Sequence, residues 1–534
     1  MCKGFKLSVS SKQSRLQTIG EGIAWAALFT LAYAQAPLYT SNQNQYFLHG
    51  LAKAGYGYLS EDWLANTLDP TPVFSKFIEI SWRILPWPPV FYLYFGLLAG
   101  VYLFSLTGII QRVWGLETRA KRRAFWALMI LLHSAVLRYL IARPLGEAWN
   151  FFLDGGVAGQ RLLGAVLQPS TFGVFLLLGI TLFLEGRRFW AIFSLLIAAT
   201  FHPTYMLSAG VLTAVFMGIT FWETRKPYSA LGLGLAALIG VSPTLWHSLI
   251  VFGGSDPEST ARAREILVTF RIPHHALVSE WLGYAAWLKL GFLILALGLL
   301  FFTRKFPTRQ FASSAAAKSQ LFVFQMLFWP ALLAAGLTAV QVFSGNVELA
   351  LLFPWRLSTW LVPLAVSVLT GWGLNAIWPR FHWGSRFRPG TAISLVIALL
   401  LALAGMAKTY EAGQVKQSSP DRPMMAFIRE NKESGQVYLI PTKMQDFRLE
   451  TGAPAYAEFK SIPYQAEEVL FWYHKVLLAG DFYRRGNCVE TLIQLRWEGV
   501  THLVLPPESP GIACPGLMEV YADEAYGVYR LPQP

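Results

Sequence analysis

Apolar runs of bilayer length recur from near the start of this chain to about residue 408, and they leave few architectures open. A transmembrane helix needs ~20 apolar residues, and about eleven segments approach that length. They are 19–39, 89–111, 124–141, 170–185, 189–201, 203–222, 228–251, 284–302, 320–343, 355–378 and 391–408. Of the 534 residues, 54% are hydrophobic and only 14% charged, whereas a soluble domain carries about 25% charged residues. Backbone groups inside hydrocarbon must be satisfied within their own segment, which favours helices. The expected fold is therefore a polytopic α-helical membrane protein with about eleven spans. The 20 Trp and 38 Phe suit rings anchored at the two interfaces.

Two of these segments, 170–185 and 189–201, are short. Only "FHPTY" separates the second of them from its successor, and Pro203 there should break or kink the helix. Such interruptions mark either a hairpin turning at the interface or a cavity where freed backbone groups find protein or water.

The formal net charge of +13 raises the question of nucleic acid. The basic residues, however, form short clusters between apolar runs, a pattern that sets membrane orientation and argues against nucleic-acid binding. Lys3, Lys6, Lys12 and Arg15, then "RVWGLETRAKRR", Arg187, Arg188, Arg225, Lys226, "TRKFPTR", Arg380, Arg386 and Arg388 all fall in alternate connections. Residues 1–18 are thus expected in the cytoplasm. The first apolar run lacks a small-residue cleavage site and reads as a retained span. The transmembrane domain covers 19–408, and its long loops 40–88, 142–169 and 252–283 face outward. A polar linker, 409–420, leads to 421–534 outside the membrane.

That last part changes character. "PMMAFIRENKE", "EEVLFWYHKVLL" and "CVETLIQLRWEG" have helical spacing, "QVYLIP" and "HLVLP" read as strands, and "LMEVYADEAYGVYRL" reads as a terminal hairpin. The alternation predicts a small extracytoplasmic α/β domain. Cys2 is expected to be cytoplasmic and reduced. Cys488 and Cys514 fall where the compartment permits disulfides and are expected to pair. Neither their spacing nor the histidine placement resembles a zinc site.

Polar residues gather on the side predicted to be outer. "LSEDWLANTLDP" supplies Glu61, Asp62 and Asp69, and "RYLIARPLGEAWNFFLDGG" supplies Arg138, Arg143, Glu147 and Asp154. His202 sits in the broken hairpin, "RIPHHALVSEW" carries Arg271, His274, His275 and Glu280, and "LFPWRLSTW" carries Arg356. Guanidinium forks match phosphate oxygens with paired hydrogen bonds. A carboxylate beside an acceptor hydroxyl takes or orients its proton. The mixture suits transfer of a sugar from a polyprenyl-phosphate donor. Asp62 is the expected base, with Asp69 and Glu61 behind it. Arg271, His274, His275 and Arg356 are expected to bind donor phosphate, His202 to line the cavity, and Arg138 and Tyr46 to contact the substrate. Arg448 and Lys460, in "FRLETGAPAYAEFKSIPY", are candidates to meet an acceptor.

The layout resembles the GT-C superfamily of integral-membrane glycosyltransferases: a cytoplasmic N-terminus, about eleven spans, a long first outer loop and an exported α/β domain. Members carry an acidic residue, often a pair, shortly after the first span, followed by a tyrosine. In "SNQNQYFLHGLAKAG" Tyr46 fits, but Asn44 and Gln45 stand where the carboxylates belong, which moves the base to Asp62 or Asp69. The resemblance implies a polyprenyl-phosphate sugar donor, contact with membrane lipids, and an acceptor that is a glycan, lipid or protein. It also implies residence in a bacterial plasma membrane. Some members use a divalent cation and others none. A transporter of lipid-linked saccharides and a noncatalytic envelope-assembly protein are the alternatives.

Overall fold

The computed structural model describes residues 9–305, 314–381 and 389–532. Of the basic residues that set the expected orientation, Lys3, Lys6, Arg309, Arg386 and Arg388 lie outside the described residues. The apolar helices run in chain order as α1 (Ile19–Tyr33), α2 (Val90–Trp114), α3 (Arg119–Leu145), α4 (Pro169–Leu184), α5 (Arg188–Phe201) and α6 (Pro203–Thr224). They continue as α7 (Pro227–Val251), α8 (Tyr284–Lys305), α9 (Ala315–Ser344), α10 (Glu348–Ile377) and α11 (Ala392–Gln417). Among the described residues, eight of them are long and apolar enough to cross a membrane; α1, α4 and α5 are shorter apolar stretches. The chain is a multi-pass membrane protein. Its α7 leaves Leu231, Leu235, Ile239 and Trp246 more than half exposed, a stripe that water would penalise and lipid accepts.

Local chemistry sets the breaks. The first segment ends at Tyr33 rather than near residue 39, because Ala34 and Tyr39 take left-handed φ of 58°. Within α3, Ser134 leaves the helical conformation and its hydroxyl accepts from Leu137 N at 3.1 Å, capping the second half. Pro203 ends α5 and opens a single 3-10 turn, Pro203–Tyr205. In the bundle, α4 lies between α2 and α5, α6 pairs with α7, α8 packs on α9 and α10, and α11 packs on α1 and α3. Gly405 of α11 makes the closest approach, since a Cβ there would collide with the Leu31 carbonyl.

Polar pairs define the two ends of the bundle. Arg123 meets Glu21 at 2.5 Å, Lys121 reaches Asn375 at 2.8 Å, and Glu223 takes both Arg188 and Lys318. The starts of α1, α3, α5 and α9 therefore share one end with the finishes of α6 and α10. The other end carries the long first loop and the C-terminal unit.

That unit consists of α12 (Arg422–Asn431), α13 (Ala466–Arg485) and α14 (Thr491–Trp497) around a small sheet. Strands β1 (Tyr438–Leu439), β2 (His502–Leu505), β3 (Met518–Ala522) and β4 (Gly527–Arg530) lie in the order β1-β2-β4-β3. Only the β1–β2 pair is parallel. Asp523 accepts from Ala525 N and Tyr526 N and so turns the terminal hairpin. Cys488 and Cys514 are joined, tethering the start of α14 to the loop before β3.

The first loop and this unit form one packed surface. Gly57 and Gly452, both with positive φ, let the two backbones touch, and Tyr58 N donates to Gly452 O at 2.8 Å. Trp63 donates to Tyr456 O at 2.6 Å, and Lys475 lies over the rings of Tyr456, Phe471 and Trp63.

Candidate functional site

The carboxylates of the first loop are engaged in that contact. Asp62 is fully buried. Its Oδ2 accepts from Arg448 Nε at 2.6 Å and from Ala455 N at 2.9 Å, while Oδ1 accepts from Leu64 N. Arg448 also lies 3.6 Å from the buried Glu458. The expectation of Asp62 as a free base thus meets a carboxylate whose two oxygens are already occupied, in a position that holds the C-terminal unit in place. Glu61 accepts from Ser434 and from Gly435 N, again across the contact. Asp69 caps the turn at Thr71 through Oδ1, and Lys53 approaches its Oδ2 at 3.8 Å.

The expected donor-binding residues are drawn together at the bundle end. Arg356, in the 3-10 turn Pro354–Leu357 of α10, reaches His202 at 3.2 Å, Gln160 at 3.3 Å and the Thr204 hydroxyl. The broken α5–α6 junction is what presents His202 and Thr204 to it. Tyr46 packs edge-on against the His202 ring at 5.8 Å. His275 bonds Ala158 O at 2.8 Å and its ring lies 4.1 Å from that of His274. Arg271 donates to Lys460 O at 2.6 Å and lies over Phe459. Arg138 instead stacks on Tyr33 and Phe151 and donates to Tyr33 O, beside Asp154.

Residues 419–479 match the family model of a domain of unknown function, DUF6798. No curated protein matches the chain. The DUF6798 segment contributes Arg448 and Glu458 to the loop contact and Lys460 to the cation cluster. Its Ile462 holds the side chain of Gln45, accepting from it at 2.9 Å and donating to it at 2.5 Å.

Charge dominates the place where this DUF6798 segment meets the bundle. Burial, reinforced by Arg271, offset by Glu458 and reinforced again by Arg161, brings the Lys460 amine down to about 8. Burial and neighbouring His274 push His275 to about 3, with the Ala158 carbonyl opposing and Arg356 and Arg161 adding to the effect. Burial likewise lowers Arg161 and Arg271. Of the carboxylates facing these cations, Glu458 is committed through both oxygens and Asp154 through one. Glu458 accepts from the backbone of Lys460 and Ser461, and Asp154 Oδ2 accepts from Tyr33 at 3.1 Å. Asp154 Oδ1 is buried without a hydrogen-bond partner, as are Arg271 Nε and both amide atoms of Asn44. Among the described residues no group of three or more His, Cys, Asp or Glu is placed to hold a metal ion. A divalent cation is not a good fit to so cationic a site.

Arg161, Lys289 and Gln160 join the site beside the expected residues, and Asp154 lies among them. Lys289 donates to Gly156 O at 3.0 Å and acts electrostatically with Arg161 and Asp154. Its place in the second turn of an apolar helix, between Leu288 and Leu290, is the sequence signal for it, since intramembrane charges are costly and usually functional. Beneath the junction, Leu195, Met206, Met217 and Leu238 of α5, α6 and α7 line an apolar groove of about 320 Å³. Met206 directly follows the turn that meets Arg356.

Proposed function

We propose that this protein is a GT-C-type membrane glycosyltransferase that moves a sugar from a polyprenyl-phosphate donor to an acceptor. On this reading it acts at the outer face of a bacterial plasma membrane, with its N-terminus cytoplasmic and all eleven apolar helices contributing to the membrane domain. The carrying observation is the gathering of Arg161, Arg271, Arg356 and Lys460 from separate stretches, with fewer carboxylates than cations. Buried charge of one sign calls for a counter-ion, and a phosphodiester supplies one in the geometry guanidinium groups favour. The apolar groove below His202 suits the lipid tail of the same molecule.

In the transfer, the acceptor hydroxyl oxygen bonds to the anomeric carbon while the bond from that carbon to the phosphate oxygen breaks. Lipid phosphate leaves, held by Arg356 and Arg271, and the hydroxyl proton passes to a carboxylate. Asp154, with one oxygen uncommitted beside Arg161 and Lys289, is better placed for this than Asp62. The test is mass-spectrometric profiling of lipid and glycan products from protein in nanodiscs supplied with undecaprenyl-phosphate sugars. Turnover should fall at least tenfold, about 1.4 kcal/mol, in Arg356→Gln and Arg271→Gln. Donor carried between leaflets unconsumed would favour a transporter, and no donor binding at all would favour an assembly protein.

A further inference from the structure

A second cavity lies away from the cation cluster. It encloses about 660 Å³ between the end of α11, the loop after α1 and the start of the C-terminal unit. A volume in the range of 300–1,000 Å³ is typical of small-molecule sites. Its charges are matched to one another. Lys416 meets Glu450 at 2.6 Å and Asp446 at 3.4 Å, and Arg422 meets Asp446 at 2.6 Å and Asp421 at 3.1 Å. Farther out Lys408 meets Glu411 at 2.7 Å, and Lys443 lines the rim. Lys416 also donates to Leu38 O and Tyr39 O, which fixes the network on both walls. Between these polar groups, Tyr39, Met444 and Tyr526 offer flat or apolar surface.

A site whose charges cancel gives no preference to a charged ligand. It gives one to a ligand whose every polar group both donates and accepts, because rigid carboxylates and cations can serve hydroxyls of either kind. The C–H faces of a pyranose ring suit the intervening aromatic and thioether groups. We propose that this cavity binds a neutral, hydroxyl-rich oligosaccharide of two or three sugar units, a binding that goes beyond the glycosyltransferase reading and does not depend on it.

The test is saturation-transfer NMR on the full chain in nanodiscs, without donor lipid, using cellotriose, maltotriose and chitotriose as probes. Glycerophosphoethanolamine serves as a zwitterionic headgroup control. At least one trisaccharide should show transfer that drops at least fivefold in Val415→Trp and in Ala412→Trp, changes at two residues of α11 that line the cavity, the first of them exposed. Arg356→Gln should leave it unchanged, which separates failure of this site from failure of the donor site. The proposal is overturned if no trisaccharide responds, if the response survives both tryptophans, or if only the headgroup binds.

Discussion

At the residue scale, Asp62 and Arg448 form a buried pair whose partners are 386 residues apart in sequence. Removing one member of such a pair leaves the other charge in low dielectric, a loss of about 3–5 kcal/mol. Asp62→Asn should therefore lower the unfolding temperature of the C-terminal unit, read by tryptophan fluorescence. The double variant Asp62→Asn/Arg448→Met should recover part of it. Lost turnover at unchanged stability would instead return Asp62 to the chemistry. Lys460 gives a pH prediction. Its amine, brought to about 8, is charged at neutral pH and loses its charge as pH rises through that value. Donor-lipid binding should weaken across pH 8, and Lys460→Arg should move that limb to higher pH; titration of binding in nanodiscs checks both. Asp62 was visible as a polar residue in an apolar chain, but no local pattern could announce a partner so far away. Arg161 stayed hidden for another reason, since a lone arginine in a loop looks like solvated surface until the fold sets it over the Phe151 ring.

At the scale of elements, the readable features were those with a local cause. Pro203 breaks the α5–α6 hairpin because its ring cannot sit in a helix interior, and the C-terminal helices and strands follow their hydrophobic periods. Tertiary demands on the backbone were not readable. The early end of α1 depends on left-handed Ala34 and Tyr39, residue types that do not favour such a turn. Gly452 illustrates the energetic side. Its φ of 70° strains any side chain, and a Cβ there would stand 3.3 Å from Gly57 Cα, a tight contact. Gly452→Ala should cost at least the ~1–2 kcal/mol of a left-handed alanine and speed limited proteolysis within 419–479. The disulfide bridging Cys488 and Cys514, 26 positions apart, should contribute about 3 kcal/mol. Its reduction should lower the melting temperature of the C-terminal unit while leaving membrane extraction behaviour unchanged.

For the whole molecule, the ion pairs Arg123–Glu21 and Arg188–Glu223 place alternate helix ends on a common side. The first loop and the C-terminal unit occupy the opposite side. If basic clusters mark the cytoplasm, alkaline phosphatase fused after Pro534 should be active in cells, and the same reporter placed after Gly115 inactive. The reverse pattern would turn the proposed site to face the cytosol. The loop that meets the C-terminal unit also has a consequence in time. Asp62 is made early, whereas Arg448 follows only after most of the bundle has been synthesised. At 5–20 residues per second the interval is roughly 20–80 s, during which the first loop carries an acid with nothing to neutralise it. Nascent chains in that window, and any product of premature termination, would present this unfinished surface to proteases and chaperones.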